Sequence, residues 1–337
     1  MEVILGTHHV VFPVEESSRI GEARRHAVRL AQTLGFDETR VGRVALVVTE
    51  LGTNLLKHAR EGQLLIAARQ HASAGIEILS VDRGPGMRDV AQSLRDGYST
   101  AGSPGTGLGA ISRLADDFDL HSSETDGTLI VARLHGEAPA PGRPAFASGV
   151  IAVCAPGETV CGDGWGIALD GSRAALLVAD GLGHGPDAHE AAQAAVGVFA
   201  AAPFGGLREA LETAHVRLRM TRGAALSTVI VDGQGGSIQS AGAGNVLVRL
   251  VSGTSDRTLL SQHGTVGVQI RHVEVIQSEW PEHASVIMHS DGLLTRWPGS
   301  AIRALLGRDP SLTAALLWRD YSRKRDDVTV AVLRRRN

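Results

Sequence analysis

The amino-acid sequence predicts an α/β protein of two domains, and three observations support that class. Apolar runs with the period of a helix alternate with shorter β-type runs along the chain. At 337 residues, the chain is long enough for about two domains, each with its own core. Residues 135–144 are rich in proline, glycine and alanine and divide the chain as a linker does. We therefore expect domains at 1–134 and 148–337, joined by a linker at 135–147.

The composition argues against several classes of protein. A hydrophobic content of 43% and a charged content of 20% are ordinary for a globular protein, and a net charge of −3 gives no electrostatic case for binding nucleic acid or an anionic membrane. No apolar run approaches the roughly 18 residues that span a bilayer, and the N-terminus lacks the layout of a signal peptide. We therefore expect a cytoplasmic protein without nucleic-acid or membrane partners. Two cysteines, Cys154 and Cys161, are too few for a disulfide framework or a cysteine-rich zinc site, and we expect both to be passive.

The first domain is predicted to contain one long amphipathic helix and three strands. Residues 41–59 form the helix, because Val44, Val48 and Leu55 share one apolar face at helical spacing. The sequence then predicts strands at 64–68 and 76–82, a helix at 108–116 and a closing strand at 128–134. In the second domain, strands are predicted at 150–153, 166–170, 174–179, 227–231, 237–241, 247–250, 285–289 and 328–333, with a small-residue helix at 186–202.

Glu50 and Asn54 are the first candidate functional pair. They are four residues apart on the predicted helix, so they share a face one turn apart. A carboxylate at this place could orient or deprotonate a hydroxyl group, and the amide could ligate Mg²⁺. For these two residues alone, a solvated surface pair is the alternative.

Two glycine-containing segments follow that pair. Residues 82–86 (DRGPG) end a predicted strand, and their glycines allow the backbone to approach a planar ligand. Residues 105–109 (GTGLG) precede a helix, whose N-terminal N–H groups and dipole suit a phosphate. Each segment alone is weak, because the first is also a common turn and the second does not follow a strand as a dinucleotide-binding fold requires.

In this order and spacing, the three segments resemble the GHKL (Bergerat-fold) ATPases, and within them the bacterial anti-sigma kinases. The tract 105–122 is most similar to the RsbT branch, and the resemblance spans roughly residues 10–134. It implies an α/β sandwich with a mixed, mostly antiparallel sheet. It also implies that Glu50 is the catalytic base, that Asn54 ligates Mg²⁺ and that Asp82 hydrogen-bonds the adenine amino group. For Lys57, phosphate contact and plain solvation are equally open. The implied ATP-binding set is Asn54, Asp82, Gly84, Gly86, Gly105, Thr106, Gly107, Leu108, Gly109 and Thr128.

Four aspartates mark a second candidate site. Asp163, Asp180, Asp291 and Asp326 each end a β-type run or lie in a turn beside one. A fold that gathers them at one edge of a sheet makes a cage of oxygen ligands for Mn²⁺ or Mg²⁺. For any one Asp-Gly pair, an isolated surface turn is the alternative, because both residues favour turns. The apolar runs before Asp180 and Asp291 favour the buried strand ends.

Residues 148–334 resemble the PPM-type metal-dependent Ser/Thr phosphatases, in their SpoIIE/RsbX branch. The resemblance rests on segments 162–163, 179–185, 224–228, 241–245, 290–292 and 326–329. It implies two β-sheets flanked by helices, an αββα sandwich. The implied two-metal centre has Asp180 as the bridging ligand and is completed by Asp163, the Gly181 carbonyl, Asp291 and Asp326.

Two details of this centre stay open. Asp327 is the alternative to Asp326, because adjacent strand residues point to opposite faces and only one can reach inward. His184 is either a general acid or a structural residue of a glycine-flanked loop.

The two resemblances together predict a bifunctional switch enzyme. Its first domain, with ATP and Mg²⁺, would phosphorylate a serine or threonine of a STAS-type anti-sigma antagonist or a stressosome-type protein. Its second domain, with two Mn²⁺ or Mg²⁺ ions, would remove phosphate from the same or a related partner. The alternative is that the first domain only binds nucleotide and partner, and that the phosphatase alone is catalytic.

Overall fold

A computed structural model describes residues 1–70, 74–94, 107–137 and 144–336. The chain divides into two compact units. The larger unit comprises Met1–His8 and Gly142–Asn337, and the smaller unit comprises His9–Pro141. Among the described residues, no helix combines the length and the apolar character that crossing a membrane requires.

The first strand of the chain belongs to the larger unit. Strand β1 (Glu2–Leu5) pairs antiparallel with the strand Asp163–Asp170, and the Met1 amino group lies 3.5 Å from an Asp170 oxygen. The predicted first domain, 1–134, therefore differs from the smaller unit by its first eight residues. The observed connection between the two units is shorter than the predicted linker 135–147 at both ends. One strand continues through His135, and the next begins at Phe146.

The smaller unit is a five-stranded sheet with helices on one face. Its strands have the order β2-β3-β4-β6-β5. All four described pairings are antiparallel, whereas the resemblance implied a mixed, mostly antiparallel sheet. A short connection such as that of β5 to β6 joins antiparallel neighbours. In chain order the elements are β2 (Val10–Pro13), α1 (Ser17–Thr33), α2 (Glu38–His58), β3 (Gln63–Gln70), β4 (Ala74–Val81), α3 (Val90–Ser93), α4 (Gly107–Leu114), β5 (Asp117–Ser123) and β6 (Gly127–His135).

Helix α2 covers the sheet with the predicted apolar face. Val44, Val48 and Leu55 are buried, together with alternate residues of β3 and β4. The helix begins three residues earlier than predicted, because the Asp37 side chain accepts the Arg40 N–H at 2.8 Å and caps its first turn. Helix α1, which the sequence analysis did not predict, packs beside α2 through buried alanines.

The larger unit contains two sheets that pack face to face. Their strand orders are β1-β8-β9-β10-β11-β16 and β13-β12-β17-β18-β7. The remaining elements, in chain order, are β7 (Phe146–Val153), β8 (Asp163–Asp170), β9 (Arg173–Gly181), α5 (Pro186–Ala201), α6 (Leu207–Arg217), β10 (Ala224–Asp232), β11 (Ser237–Ala243), β12 (Leu247–Val251), β13 (Asp256–Leu259), β14 (Gly264–Thr265), β15 (Gln269–Ile270), β16 (Ile276–Glu279), β17 (Ser285–His289), α7 (Pro310–Tyr321) and β18 (Val328–Arg335), with 3-10 turns at Leu218–Met220 and Gly299–Leu305.

Apolar side chains from both sheets fill the space between them. Val178 and Val229 come from the first sheet, and Val248, Met288 and Ala331 from the second. Helices α5 and α6 cover the outer face of the first sheet, and α7 covers the second. The predicted αββα sandwich is therefore confirmed.

Candidate active sites

The four predicted aspartates lie at the ends of strands that the fold brings together. Asp163 at the start of β8 pairs directly with Asp180 near the end of β9. Asp291 follows β17 and Asp326 precedes β18. These two strands are paired, and His289 opposite Val330 is the last pair before the two aspartates. The sandwich thus presents two aspartates from each sheet at strand ends.

Ser290 joins the two sheets at this place. Its hydroxyl donates to Asp163 Oδ2 at 2.7 Å and accepts the Thr329 N–H at 2.9 Å. Ser290 is fully buried, so this hydrogen bond fixes the Asp163 carboxylate against β17 and β18. The sequence analysis used Ser290 only as part of a motif and did not assign it this bridging role.

Mutual repulsion is the main electrostatic property of the cluster. Burial and then the Asp180 charge raise the pKa of Asp163 well above its usual value. Burial and then the Asp291 charge raise the pKa of Asp180 to about 7, and burial and Asp326 raise the pKa of Asp291. The carboxylates disfavour one another's ionised form, and although Arg323 lowers the pKa of Asp291, that pKa is still raised overall, so the cluster has an excess of negative charge. An all-oxygen set of this kind fits divalent cations such as Mg²⁺ or Mn²⁺.

Asn245 and two glycines shape the rim of the cluster. Asn245 Nδ2 donates to Asp291 Oδ2 at 2.6 Å and so orients this carboxylate. A Cβ atom on Gly181 would lie 2.0 Å from the Ala188 carbonyl oxygen, and one on Gly292 would lie 1.9 Å from the Asp327 carbonyl oxygen. Both backbone segments therefore approach their neighbours at distances that only glycine allows.

The two adjacent aspartates before β18 have different surroundings. Asp327 is buried, and its Oδ1 accepts the Ala155 N–H at 2.9 Å. Asp326 is partly exposed, and its charge raises the pKa of Asp180 and Asp291, while the charge of Asp327 raises the pKa of Asp163 and Asp180. The difference between the two is that the Asp327 carboxylate is already engaged by backbone N–H groups. These contacts favour Asp326 as the member of the carboxylate cluster.

The two histidines near Asp180 both have structural partners. His184 Nδ1 lies 2.6 Å from Glu158 Oε1, with 63% of the His184 side chain exposed. His189 Nδ1 lies 2.8 Å from the Cys161 carbonyl oxygen. Both contacts favour a structural role over acid catalysis.

The two cysteines interact with each other rather than lying passively apart. A hydrogen bond from the Cys161 thiol, together with one from His8, lowers the pKa of Cys154 to about 5 against the opposing effect of burial. The same bond and burial raise the pKa of Cys161. Cys161 lies two residues before Asp163, and Cys154 follows β7, whose partner strand β18 begins after Asp326 and Asp327.

In the smaller unit, Glu50 and Asn54 lie one turn apart on α2, as predicted, and both are partly exposed. A Cβ atom on Gly107 would lie 3.7 Å from Asn54 Oδ1, so the first residue of α4 adjoins the Asn54 amide. Lys57, farther along α2, is exposed. The helix pair therefore brings the predicted Mg²⁺ ligand to the start of the predicted phosphate-binding helix.

Asp82 sits in a rigid turn after β4. Its Oδ1 accepts the Gly84 N–H at 2.6 Å and the Thr128 N–H at 3.3 Å. Only 7% of the residue is exposed. Gly86 adopts a φ of 68°, and a Cβ there would lie 2.3 Å from the Ser123 carbonyl oxygen. The turn and the β6 backbone thus hold the Asp82 carboxylate in one orientation.

The predicted phosphate loop is only partly described. Gly107, Leu108 and Gly109 form the first turn of α4 rather than a loop ahead of it. Gly105 and Thr106 lie outside the described residues. Helix α4 ends at Leu114 instead of 116, because β5 begins three residues later.

Family comparisons match each unit separately. Residues 12–134 match a family described as the histidine kinase-like ATPase domain. Residues 170–336 match the stage II sporulation protein E (SpoIIE) family. The first range omits β1, in agreement with its place in the larger unit, and the second begins after Asp163.

Individual proteins and solved structures match shares of the chain of different size. The chain is 35% identical to the serine/threonine-protein kinase RsbT of Bacillus subtilis over 111 residues, which are 33% of this chain and 84% of that protein. A solved structure from work on the bacterial stressosome is 30% identical over 56% of this chain and 99% of its own, with a TM-score of 0.53. A structure containing the PP2C phosphatase domain of SpoIIE from Bacillus subtilis shares the fold, with 17% identity, a TM-score of 0.50, and coverage of 95% of this chain and 98% of its own.

Proposed function

Because the chain belongs to the RsbT-like histidine kinase-like ATPases and carries a SpoIIE-type PPM phosphatase domain, we propose that it is a bifunctional switch enzyme with opposing activities. The smaller unit transfers phosphate from ATP to a serine or threonine of a partner protein, and the larger unit removes it. The observation that carries the proposal is the presence of two separate acidic sites, Glu50 with Asn54 in one unit and the aspartate cluster in the other.

The aspartate cluster supports a two-metal phosphatase. Asp180 is the proposed bridging ligand, since it pairs with Asp163 across the strands and the charges of Asp291 and Asp326 raise its pKa, and the Gly181 carbonyl is a further proposed ligand. When bound, two Mn²⁺ or Mg²⁺ ions would neutralise charge on the phosphoryl group and activate a water molecule for in-line attack. The chain's own contribution is orientation, because Ser290 and Asn245 each fix one carboxylate by a hydrogen bond.

The smaller unit supports phosphoryl transfer in three parts. Glu50 would accept the proton of the attacking hydroxyl, and Asn54 would hold the Mg²⁺ that accompanies the ATP phosphates. Asp82 accepts a hydrogen bond from the adenine amino group, beside Gly84, Gly86 and Thr128. The phosphates would bind at the segment 105–109 that the sequence pattern assigns to them, and the described N–H groups at the start of α4 would favour their negative charge.

The proposed partner is a STAS-domain protein of the anti-sigma antagonist or stressosome type. Similarity to RsbT and to a stressosome-related structure supports this choice. The transferable phosphate then sits on a hydroxyl side chain, which both units must reach in turn. The two activities set the phosphorylation level of the partner.

Phosphate transfer in a phosphatase-dead background tests the proposal. The full-length Asp180→Asn protein, γ-labelled ATP and a panel of STAS-domain proteins are incubated together, so that label is not erased. We expect labelling of at least one partner, and Glu50→Gln in the same background should lower its rate by about 10²–10⁴-fold, the usual value of general-base assistance.

Glu38→Gln is the matched control, because Glu38 is exposed in the first turn of the same helix. It should transfer label at the rate of the Asp180→Asn parent. If ATP binds but no partner is labelled, the smaller unit is a nucleotide-dependent binding module. If Glu50→Gln labels at an unchanged rate, Glu50 is not the base.

A further inference from the structure

Both cysteines lie next to an aspartate that the catalytic cluster does not use. Cys154 directly follows β7, Cys161 lies two residues before β8, and Asp327 directly precedes β18. Val153 of β7 pairs with Val328 of β18, so Cys154 and Asp327 leave their strands at the same end. One ligand atom from each of Cys154, Cys161 and Asp327 lies within 4.8 Å of the other two. Among the described residues, no other group of three histidine, cysteine, aspartate or glutamate residues has its ligand atoms this close together.

One oxygen of Asp327 points to a missing ligand. Oδ1 accepts the Ala155 N–H at 2.9 Å, but Oδ2 is buried without a hydrogen bond of normal geometry among the described residues. Asp327 is 4% exposed and Cys161 is 3% exposed. The other neighbours of this carboxylate are the Gly162 N–H and the Cys161 thiol, but neither gives Oδ2 a hydrogen bond of normal geometry. A poorly satisfied buried oxygen is costly, and a cation placed between it and the two sulfur atoms would satisfy it.

A fourth donor comes from the N-terminal segment. The His8 imidazole hydrogen-bonds the Cys154 sulfur. The backbone before it is held in place, since the Gly6 N–H donates to the Trp165 carbonyl at 3.1 Å and Trp165 Nε1 donates to the Thr7 carbonyl at 3.3 Å. His8 therefore reaches the cysteines because β1 belongs to this unit.

We propose that Cys154, Cys161 and Asp327 bind one zinc ion. The His8 imidazole, which lies outside this compact group of three, turns toward the ion and takes the fourth position. Two thiolates, an imidazole and a carboxylate are ligands that Zn²⁺ binds in tetrahedral sites, whereas the all-oxygen catalytic cluster suits Mg²⁺ or Mn²⁺. Binding releases the remaining thiol protons to solvent. The ion ties the N-terminal segment to the ends of β7, β8 and β18. It is structural and separate from the catalytic ions.

Cobalt substitution in the full-length, reduced protein tests the site. Excess Mg²⁺ occupies the oxygen cluster, and Co²⁺ is then added in place of zinc. We expect one Co²⁺ per chain with the strong visible absorption of tetrahedral cobalt and a thiolate charge-transfer band, both of which are lost when one equivalent of Zn²⁺ is added. Wild-type protein that shows neither band overturns the proposal, and so does protein whose two thiols are found joined in a disulfide after reduction and metal addition.

The neighbouring aspartates supply a matched pair of variants. Asp327→Asn should weaken Co²⁺ binding to the thiolate site by more than the roughly 10–100-fold that loss of an outer-shell partner costs, and Asp326→Asn should leave the spectrum intact. His8→Ala should change the band pattern because it removes a ligand. Equal spectra for the two aspartate variants would overturn the assignment of Asp327. Circular dichroism checks that each variant is folded. If a variant is unfolded, the cobalt spectrum of the wild-type protein alone decides whether the zinc site exists.

Discussion

Glu77 in the smaller unit and Asp163 in the larger unit are both carboxylates enclosed in β-sheet structure, but their partners differ in charge. Glu77 Oε2 lies 2.5 Å from Arg69 Nη1 and 2.7 Å from Arg133 Nε, and Oε1 lies 3.3 Å from His9 Nε2. Burial raises the pKa of Glu77, but the charges of Arg69 and Arg133 outweigh it and hold the pKa well below the usual value.

Asp163 has another carboxylate where Glu77 has two guanidinium groups. Its paired neighbour across the strands is Asp180, and the pKa values of both are raised. A buried charge that is balanced by fixed side chains holds a fold together, whereas a cluster of like charges is stable only with protons or added cations. This difference separates a structural network from a metal-binding site in one chain.

The largest expected effect comes from removing the central negative charge. Asp180→Asn keeps the side-chain shape but loses the proposed bridging charge, so phosphatase activity on a phosphorylated protein should fall by about 10²–10⁴-fold or more. Initial rates with Mn²⁺ or Mg²⁺ measure it. Asp170→Asn, at the opposite end of the β8–β9 pair, is the control and should retain full rate. Full activity of Asp180→Asn, or of wild type in excess chelator, contradicts the two-metal site.

Removing the balanced charge should affect stability instead. Glu77→Gln leaves Arg69 and Arg133 without their counter-charge, which typically costs about 3–5 kcal/mol when a buried pair is broken. Chemical denaturation of the full chain, followed by a probe in the smaller unit, measures the loss. Glu22→Gln breaks only the exposed pair with Arg19 and should cost less than about 1 kcal/mol. Equal losses in the two variants would mean that burial does not govern the Glu77 network.

A smaller effect is expected at the nucleotide site. Asp82→Asn preserves the oxygen that accepts the Gly84 N–H but presents an NH₂ group to the adenine amino group, so ATP affinity should fall by about 1.5–3 kcal/mol. Calorimetric titration of the full-length protein measures the affinity. Asp37→Asn, which keeps the cap of α2, is the control and should bind ATP normally. Unchanged ATP affinity in Asp82→Asn, or equal affinity of wild type for GTP, contradicts the adenine contact.

The smallest effect, counted per pH unit, is a pH dependence of the metal-free larger unit. Burial and the charges of Asp291, Asp326 and Asp327 raise the folded pKa of Asp180 to about 7, above its ordinary value of 3.8. Between these values the folded state holds a proton that the unfolded state has lost. Stability should therefore fall as the pH rises from about 4 to 7, by at most about 1.4 kcal/mol per pH unit for one group.

Thermal denaturation in chelator across this range tests the sign. Asp180→Asn removes the titrating group and should show a shallower fall than wild type, and saturating Mn²⁺ should abolish the fall in wild type. A wild-type stability that rises with pH in chelator would contradict the proposed charge imbalance.

The sequence predicts the strand-end aspartates because each signal is local. An apolar run and the aspartate at its end are neighbours in the chain, so β9 and β17 with Asp180 and Asp291 lie where the pattern places them. Glu50 and Asn54 are predictable for the same reason, since one helix sets their spacing. Strand β5 escapes prediction because its sequence is mostly polar and Leu120 is its one buried residue.

Features that depend on distant partners are not visible in the local pattern. The four residues of β1 find their partners at 166–169, and Glu77 finds Arg133 two strands later in the sequence. Cys154, Cys161 and Asp327 are brought together by the pairing of the first and last strands of the second domain. Two cysteines alone give no sign of that cluster. The pairing register of the strands is what places these three residues together.

The pairing of β1 makes the smaller unit an insertion within the larger one. The chain begins in the larger unit, leaves it after His8 and returns after the linker. A protease cut placed in the linker does not release the N-terminal fragment, because the backbone ladder from Glu2 to Leu5 still holds it to β8. We therefore expect the two fragments to co-purify under native conditions and to separate in denaturant. A fluorophore attached at residue 1 accordingly reports on the larger unit, even though the nearest folded domain in sequence is the smaller one.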